Sequence, residues 1–293
     1  MSLKDQFLNY IQVEKRFSKH TLIAYEQDLD QFTTFATIKT ASDWNEANHQ
    51  LIRAWMVDLL EAGQSNRTVN RKLSCLRSFF KWGKNNGFIA SDPMVKIRGP
   101  KTEKRLPQFV KQTELVNDRI ADLFSDSFEG MRDRLMVELF YQTGIRLSEL
   151  LTLKEADVSV THIKVLGKRN KERIIPIGTQ LYERVLLYRK AKPNGPDSQN
   201  LLFVKKDGVK LSAKFVYRKI NLYLGSVTTA QKKSPHVLRH TFATHLLNNG
   251  AGLETLKELL GHANLSATQV YTHNSFAQIN SIYSQAHPRG HKK

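Results

Sequence analysis

Apolar residues recur every three or four positions through the first part of the chain, the spacing of one face of an α-helix. One such run comprises Leu22, Tyr25, Leu29, Phe32 and Phe35. A second run places Leu51, Trp55 and Leu59 on one stripe, with Ile52, Met56 and Leu60 beside them. Gly63 follows directly and is expected to end that helix. The pattern therefore predicts that the first hundred residues are helical.

A further amphipathic helix is predicted over about residues 68–84. Its apolar stripe consists of Val69, Leu73, Leu76 and Phe80. Roughly opposite lie five basic residues, namely Arg67, Arg71, Arg77, Lys81 and Lys84. Such a stripe is typical of a solvated helix face or of a surface that meets phosphates, and taken alone it favours the solvated face.

The second part of the chain is predicted to be mostly helical with a single hairpin. Helices are indicated at residues 113–124, 128–143, 180–191, 213–224 and 235–249, with Gly144 and Gly250 closing two of them. Two β-branched runs flank a Gly-Lys-Arg-Asn-Lys turn within residues 162–177, which predicts a hairpin with a basic tip. The expected fold class is mainly α with a small β-sheet.

Length and charge divide the chain in two. With 293 residues it should form about two domains, and residues 98–107 combine two prolines, a glycine and many charges that break regular structure. We therefore expect an N-terminal helical domain at 1–98, a linker at 99–109 and a second domain at 110–293. The formal net charge is +18, and residues 1–100 hold only 14 of the 45 basic side chains. Because of this positive charge, the expected partner is a polyanion, and nucleic acid is the leading candidate.

Cysteine content and hydropathy narrow the class of protein further. The single cysteine, Cys75, cannot form an intramolecular disulfide or a thiolate zinc site by itself, which favours the reducing cytoplasm. The sequence contains no run of 18 apolar residues, and acidic residues interrupt its first 20 positions. Neither a membrane span nor a signal peptide is predicted.

Several polar residues fall at spacings that could support chemistry. His236, Arg239 and His240 share one face of the helix that begins at Pro235. With His262 the two histidines could bind zinc, but the intervening permanent charge of the arginine opposes a dication. A hydrogen-bonded structural role is favoured for His240, as it is for the neighbouring His245.

Two further positions are ambiguous when considered alone. Arg146 lies just after Gly144, where one helix stops and another begins near Ser148, and its three-residue spacing to Glu149 favours a simple salt bridge. Tyr271 stands beside an apolar residue and has the pattern of an ordinary half-buried tyrosine.

Together, five ordered motifs make the chain resemble the tyrosine recombinases, the phage integrase family, and most closely its Xer-type members. The motifs are Thr143-Gly-Ile-Arg146-Leu-Ser-Glu149-Leu, Gly167-Lys168-Arg-Asn-Lys-Glu-Arg173, Ser234-Pro-His236-Val-Leu-Arg239-His240-Thr-Phe-Ala-Thr-His-Leu, Leu260-Gly-His262 and Tyr271-Thr-His273. The resemblance extends over nearly the whole length. It implies a two-domain, C-shaped DNA clamp, with an N-terminal SAM-like core-binding domain and a C-terminal catalytic domain.

The resemblance implies a catalytic set in which Tyr271 is the nucleophile that forms a 3′-phosphotyrosyl link to DNA. Arg146 and Arg239 would clamp the phosphate, Lys168 and His236 would transfer protons, and His262 would hydrogen-bond a non-bridging oxygen. Glu149 and His240 would support the site. No metal, ATP or other cofactor is expected. The charges at Arg67, Arg71, Arg77, Lys81, Lys84, Arg169, Lys171 and Arg173 are expected to contact DNA.

The resemblance also suggests partners and a biological role. The expected partner is duplex DNA with a specific recombination site, bound by four protomers that exchange C-terminal segments, with resolution of chromosome dimers before cell division as the role. Phe276, Ile279 and Ile282 would let that segment dock on a neighbour or cap its own domain. A second Xer-type recombinase and a DNA-translocating motor are further candidate partners. The alternatives are an integrase or transposon recombinase, and a non-catalytic DNA-binding protein of the same fold.

Overall fold

The computed structural model describes residues 1–102, 109–116, 122–167, 172–261 and 273–289, without the side chains of residues 116 and 273–279. The chain divides into two compact units, Met1–Arg105 and Leu106–Lys293, each with its own hydrophobic core. Helices predominate in both units, and a small two-stranded sheet lies in the second. The predicted class, mainly α with a small β-sheet, is confirmed.

The first unit is a bundle of four α-helices around an aromatic core. These are α1 (Leu3–Val13), α2 (Lys19–Phe35), α3 (His49–Glu61) and α4 (Asn66–Asn85). At each N-terminus a serine or asparagine side chain accepts a hydrogen bond from a backbone N–H of the first turn. The largest buried side chains include Phe7, Phe32, Trp44, Trp55, Phe79 and Phe80. Most of the predicted apolar stripes of α2, α3 and α4 face this core.

Helix α4 also carries polar contacts that its apolar stripe did not predict. The ammonium group of Lys72 is buried and lies 2.8 Å from the carboxylate of Asp28, which the guanidinium of Arg71 also binds. Asn70 and Asn66 donate hydrogen bonds of 2.8 Å to the carbonyls of Pro100 and Lys101. The segment after the bundle therefore runs along α4 at least as far as residue 101.

The second unit is built around a nearly buried helix. Its elements are α5 (Gln112–Val116), α6 (Phe128–Thr143), α7 (Leu147–Leu150), β1 (His162–Leu166), β2 (Glu172–Pro176), α8 (Thr179–Ala191), α9 (Ala213–Val227), α10 (Pro235–Asn248), α11 (Leu253–Leu260) and α12 (His273–Ala286). Helix α6 packs between α8 and α10. Its predicted bounds and its closure by Gly144 are confirmed, whereas α5 is described only as far as residue 116.

The predicted hairpin is present, and its register determines which side chains face inward. β1 and β2 pair antiparallel, with Ile163 opposite Ile175 and Val165 opposite Arg173. Alternate residues of a strand face the same side of the sheet, so these four side chains share one face. All four are buried, which shows that this face is the inward one. The basic tip, residues 168–171, lies outside the described residues.

The C-terminal helix α12 packs against α10 and β2 of its own unit. Beyond its end the imidazole of His287 is buried, stacks on the ring of Tyr283 and lies 3.3 Å from the carbonyl oxygen of Tyr141. Burial lowers the pKa of His287 to about 3, so this imidazole is neutral. Ile282 packs partly buried on the same core, while the side chains of Phe276 and Ile279 are not described. In the described residues, α12 and the turn after it therefore cap the unit to which they belong.

No helix among the described residues is both long and apolar enough to cross a membrane.

Candidate active site

The turn between α6 and α7 places Arg146 in a fixed position. Gly144 has a left-handed backbone, with a φ of 59°, and a Cβ atom there would lie 2.5 Å from a ring carbon of Phe242. Only glycine therefore fits this close approach without rearrangement. Helix α7 begins at Leu147, near Ser148 as predicted, and its N-cap is Arg146, whose backbone N–H donates to Glu149 Oε2 at 2.8 Å.

Glu149 is the centre of a buried ionic network. Its side chain is 3% exposed and accepts a 2.8 Å hydrogen bond from Nη1 of Arg146, so the predicted salt bridge is present. Arg173 binds the same carboxylate with two more bonds, from Nη1 at 2.7 Å and Nη2 at 2.9 Å. One carboxylate thus holds two guanidinium groups.

The prediction that Arg173 tracks DNA phosphates is wrong for this structure. The residue is 4% exposed, and its Nε donates to the carbonyl oxygen of Leu259 at 2.8 Å. Among the described residues, its guanidinium bonds Glu149 and Leu259, which lie 24 and 86 residues away in the sequence. Sequence reasoning missed this role, although one signal was available. Arg173 alternates in phase with the apolar Ile175 and therefore belongs to the inward face of the hairpin.

The end of α11 holds three arginines through three consecutive carbonyl groups. Leu259 accepts from Arg173, Leu260 accepts from Nη2 of Arg239 at 2.6 Å, and Gly261 accepts from Nη2 of Arg146 at 3.0 Å. The last carbonyls of a helix have no partner within the helix and carry partial negative charge, so they are good acceptors for cations.

Arg239 is also buried and bonded at both ends of its guanidinium. It is 8% exposed, and its Nη1 also donates to the carbonyl oxygen of Gly144 at 2.5 Å. Burial, with the charges of Arg146 and Arg173, lowers the pKa of its guanidinium to about 9, so it stays protonated at neutral pH. Three guanidiniums against one carboxylate leave a net charge of about +2, which favours a bound anion.

The histidines on α10 differ in their surroundings. His236 is exposed in the first turn of the helix, which Ser234 caps. His240, one turn further, is half-buried, and burial together with His236 lowers its pKa. No hydrogen bond joins it to another described residue, so the predicted bond is not seen there. His245 does make one, at 3.2 Å to the hydroxyl of Tyr141.

Five predicted site residues lie outside the described residues, namely Lys168, Arg169, Lys171, His262 and Tyr271. Their roles stay predictions. Within the part of the chain that is described, no cluster of three His, Cys, Asp or Glu side chains could hold a metal ion.

The basic stripe of α4 is only partly free to meet DNA. Arg67, Lys81 and Lys84 are exposed. Arg71 is half-exposed and bound to Asp28, and Arg77 donates a 3.1 Å hydrogen bond to the carbonyl of Ile97. Two of the five predicted contacts therefore have bonds within their own unit.

The Glu149 network predicts a specific acid sensitivity. Burial raises the pKa of the Glu149 carboxyl, but the hydrogen bonds and charges of Arg173 and Arg146 outweigh burial and hold the pKa at about 2. Because the folded pKa lies below the unfolded value near 4.5, the stabilisation is complete above pH 4.5 and is lost as the pH falls toward 2.

We expect the free energy of unfolding of the wild type to fall by about 1 kcal/mol between pH 5.5 and 3.5 through protonation of Glu149 alone. The free energy of urea unfolding of the wild type and of Glu149→Gln, measured at both pH values, checks this. Equal pH dependence in the two proteins would contradict the prediction.

Comparison with known proteins agrees with this fold. Residues 5–87 match the phage integrase N-terminal SAM-like domain, and residues 111–278 match the phage integrase family. The chain therefore belongs to the phage integrase family of tyrosine recombinases, and within it to the Xer type. It is a site-specific DNA recombinase.

The Xer assignment rests on relatives aligned over nearly their full length. The chain is 36% identical to tyrosine recombinase XerC of Bacillus subtilis strain 168, covering 98% of this chain and 96% of the relative. It is also 36% identical to tyrosine recombinase XerD of Staphylococcus epidermidis RP62A, covering 97% and 98%. These equal identities do not distinguish the two subtypes.

Solved structures show the same fold at lower identity. The XerH site-specific recombinase bound to a palindromic difH substrate has a TM-score of 0.70 at 21% identity, over 96% of this chain and 84% of that one. The Tn1549 transposon integrase with circular intermediate DNA has a TM-score of 0.67 at 19% identity, over 95% and 98%.

Proposed function

We propose that this recombinase cuts and rejoins duplex DNA through a 3′-phosphotyrosyl intermediate on Tyr271. The tyrosine Oη attacks the scissile phosphorus, the new P–O bond forms as the bond to the 5′ oxygen breaks, and the 5′ oxygen leaves as a hydroxyl. His236 assists removal of the tyrosine proton, and Lys168 supplies a proton to the leaving oxygen. Attack by the 5′-hydroxyl of another strand reverses the step, so no ATP is consumed.

The arginine pair on the end of α11 is the observation that carries this proposal. Arg146 and Arg239 each use Nη1 and Nη2 to bond described residues, which fixes both guanidiniums and leaves further N–H groups of each. Charge builds up on the non-bridging oxygens in the transition state, and preorganised guanidinium donors stabilise it there. His262, the residue after Gly261, would add a third donor residue. The permanent charges do the work that a divalent cation does elsewhere.

DNA binding is proposed to involve both units, with residues 1–98 as the core-binding domain, 99–109 as the linker and 110–293 as the catalytic domain. Phosphates would be held mainly by Arg67, Lys81 and Lys84 of α4, and by Arg169 and Lys171 of the hairpin tip. Contacts from Arg71 and Arg77 are expected to be weaker, because each already binds within its unit.

Assembly into a tetramer on two DNA sites, of one chain or with a second Xer-type recombinase, follows the family resemblance. We propose that α12 takes part as the exchanged segment. The hydrogen bond of His287 to Tyr141 and the burial of Tyr283 in the core of its unit can be reproduced on the same surface of a neighbouring protomer, so exchange would cost little contact energy. We propose chromosome dimer resolution in the cytoplasm as the role, with a DNA-translocating motor as a candidate activator.

The test is covalent trapping in EDTA on a library of nicked duplexes, from which the short strand released by cleavage diffuses away. We expect a covalent protein–DNA band on a denaturing gel, with the DNA mapped to the peptide that contains Tyr271. A requirement for divalent metal would contradict the proposed chemistry. DNA binding without a covalent product across the library would favour the non-catalytic alternative.

A further inference from the structure

We infer that Arg173 is a positioning residue for DNA cleavage, which holds three segments of the active site in one geometry. This inference rests on the proposed function, because the segments it joins carry the proposed catalytic residues. Arg173 itself is buried away from solvent, and its hydrogen bonds to described residues go to Glu149 and Leu259, so we infer that it acts through other residues.

The contacts of Arg173 reach each of these segments. Through Glu149 it is joined to Arg146 at the start of α7. Through its Nε it holds the carbonyl of Leu259, in the last turn of α11, three residues before His262. Its own strand β2 leads directly from the hairpin tip that contains Lys168.

The geometry requires a guanidinium rather than a single positive charge. Arg173 makes two parallel bonds to the Glu149 carboxylate and a third bond, in another direction, to Leu259. A lysine ammonium cannot reproduce this fork. Space is provided by Gly261, where a Cβ atom would lie 3.1 Å from Cδ of Arg173. The left-handed φ of 63° at Gly261 also favours glycine at that position.

Loss of Arg173 would leave Glu149 buried with Arg146 as its remaining ion-pair partner among the described residues. The carboxyl would then protonate at a higher pH, because Arg173 supplies the strongest of the interactions that stabilise its charged form. Protonated Glu149 holds Arg146 less firmly, so cleavage should weaken as the pH falls. A change that only loosened the fold would reduce cleavage at every pH alike.

The experiment measures single-turnover cleavage of a nicked suicide duplex from pH 5 to 8, with the dissociation constant for the same duplex and the melting temperature. For Arg173→Gln we expect at least about 30-fold slower cleavage at pH 7, a dissociation constant within threefold of wild type, and a new loss of activity toward low pH. Adding Glu149→Gln should remove that acid limb. Arg173→Lys should cleave about tenfold slower than wild type without an acid limb.

Arg218→Gln, an exposed change on α9, is the matched control and should behave as wild type. Wild-type cleavage by Arg173→Gln at all pH values would overturn the inference. So would weaker DNA binding with an unchanged cleavage rate, the result expected of a phosphate contact. If Arg173→Gln does not fold, Arg173→Lys carries the test, and cleavage at the wild-type rate by that variant would overturn the inference equally.

Failure of the proposed function would appear differently, as DNA binding by the wild type without any covalent product. In that case acid unfolding still tests the link from Arg173 to Glu149. We expect Arg173→Gln to lose less stability than wild type between pH 5.5 and 3.5, because its Glu149 is no longer held ionised. An unchanged pH dependence would overturn the inference on its own.

Discussion

Replacing Tyr271 with Phe is expected to abolish the covalent protein–DNA complex while leaving the affinity for duplex DNA unchanged. The substitution removes only the phenolic oxygen, so the ring, the fold and the contacts to phosphates are retained. Because the nucleophile has no substitute in the proposed reaction, the trapped fraction should fall by at least about 10³-fold. Denaturing gels of the trapped product and gel-shift titrations of binding measure the two quantities.

The matched control is Tyr217→Phe, an exposed tyrosine on α9 that loses the same atom. It should trap DNA as well as the wild type does. A covalent band that survives Tyr271→Phe would assign the nucleophile to another residue and overturn the proposed mechanism.

Local sequence patterns correctly predicted those elements whose ends depend on interactions with residues nearby in the sequence. Helix α6 begins and ends where its apolar pattern and Gly144 indicated, and α10 starts at Pro235 after its Ser234 cap. In both cases the deciding interactions lie within a few residues of the helix end. The same holds for the hairpin, since a turn and two β-branched runs are sufficient to define it.

Side-chain partners that lie far apart in the sequence could not be predicted in this way. The basic residue Arg173 resembles its neighbours at the hairpin tip, yet its partners Glu149 and Leu259 are brought to it only by the packing of α7 and α11. Arg77 is similar, because its acceptor is a carbonyl 20 residues further on. Charge alone does not separate an arginine that binds DNA from one that supports the fold.

The carbonyls at the end of α11 were missed for a related reason. Every residue has a backbone carbonyl, so residue type does not indicate which carbonyls accept hydrogen bonds from side chains. In the motif Leu260-Gly-His262, only the histidine was predicted to have a role. The structure shows that Leu260 and Gly261 act through their main chains, as acceptors for Arg239 and Arg146. The motif marks these positions in the sequence, but the contacts of their carbonyls arise only in the folded chain.

Arg239→Lys is expected to slow DNA cleavage by about 10² to 10³-fold, the cost of removing one preorganised donor from a charged transition state. The guanidinium of Arg239 already bonds the carbonyls of Gly144 and Leu260, and it still has N–H groups for phosphate. A lysine ammonium cannot bond both carbonyls and also present two parallel donors to a phosphate.

Binding of duplex DNA should change by less than about threefold, because a single charge among many phosphate contacts is retained by lysine. Single-turnover cleavage rates and gel-shift titrations at one salt concentration separate the two effects. Thermal unfolding serves as the folding check, since lysine could leave one of the two carbonyls unpaired. Arg218→Lys, the same change at an exposed position of α9, should leave both rate and affinity at wild-type values. Loss of DNA affinity in proportion to loss of cleavage would show that Arg239 contributes ground-state binding and not selective stabilisation of the transition state.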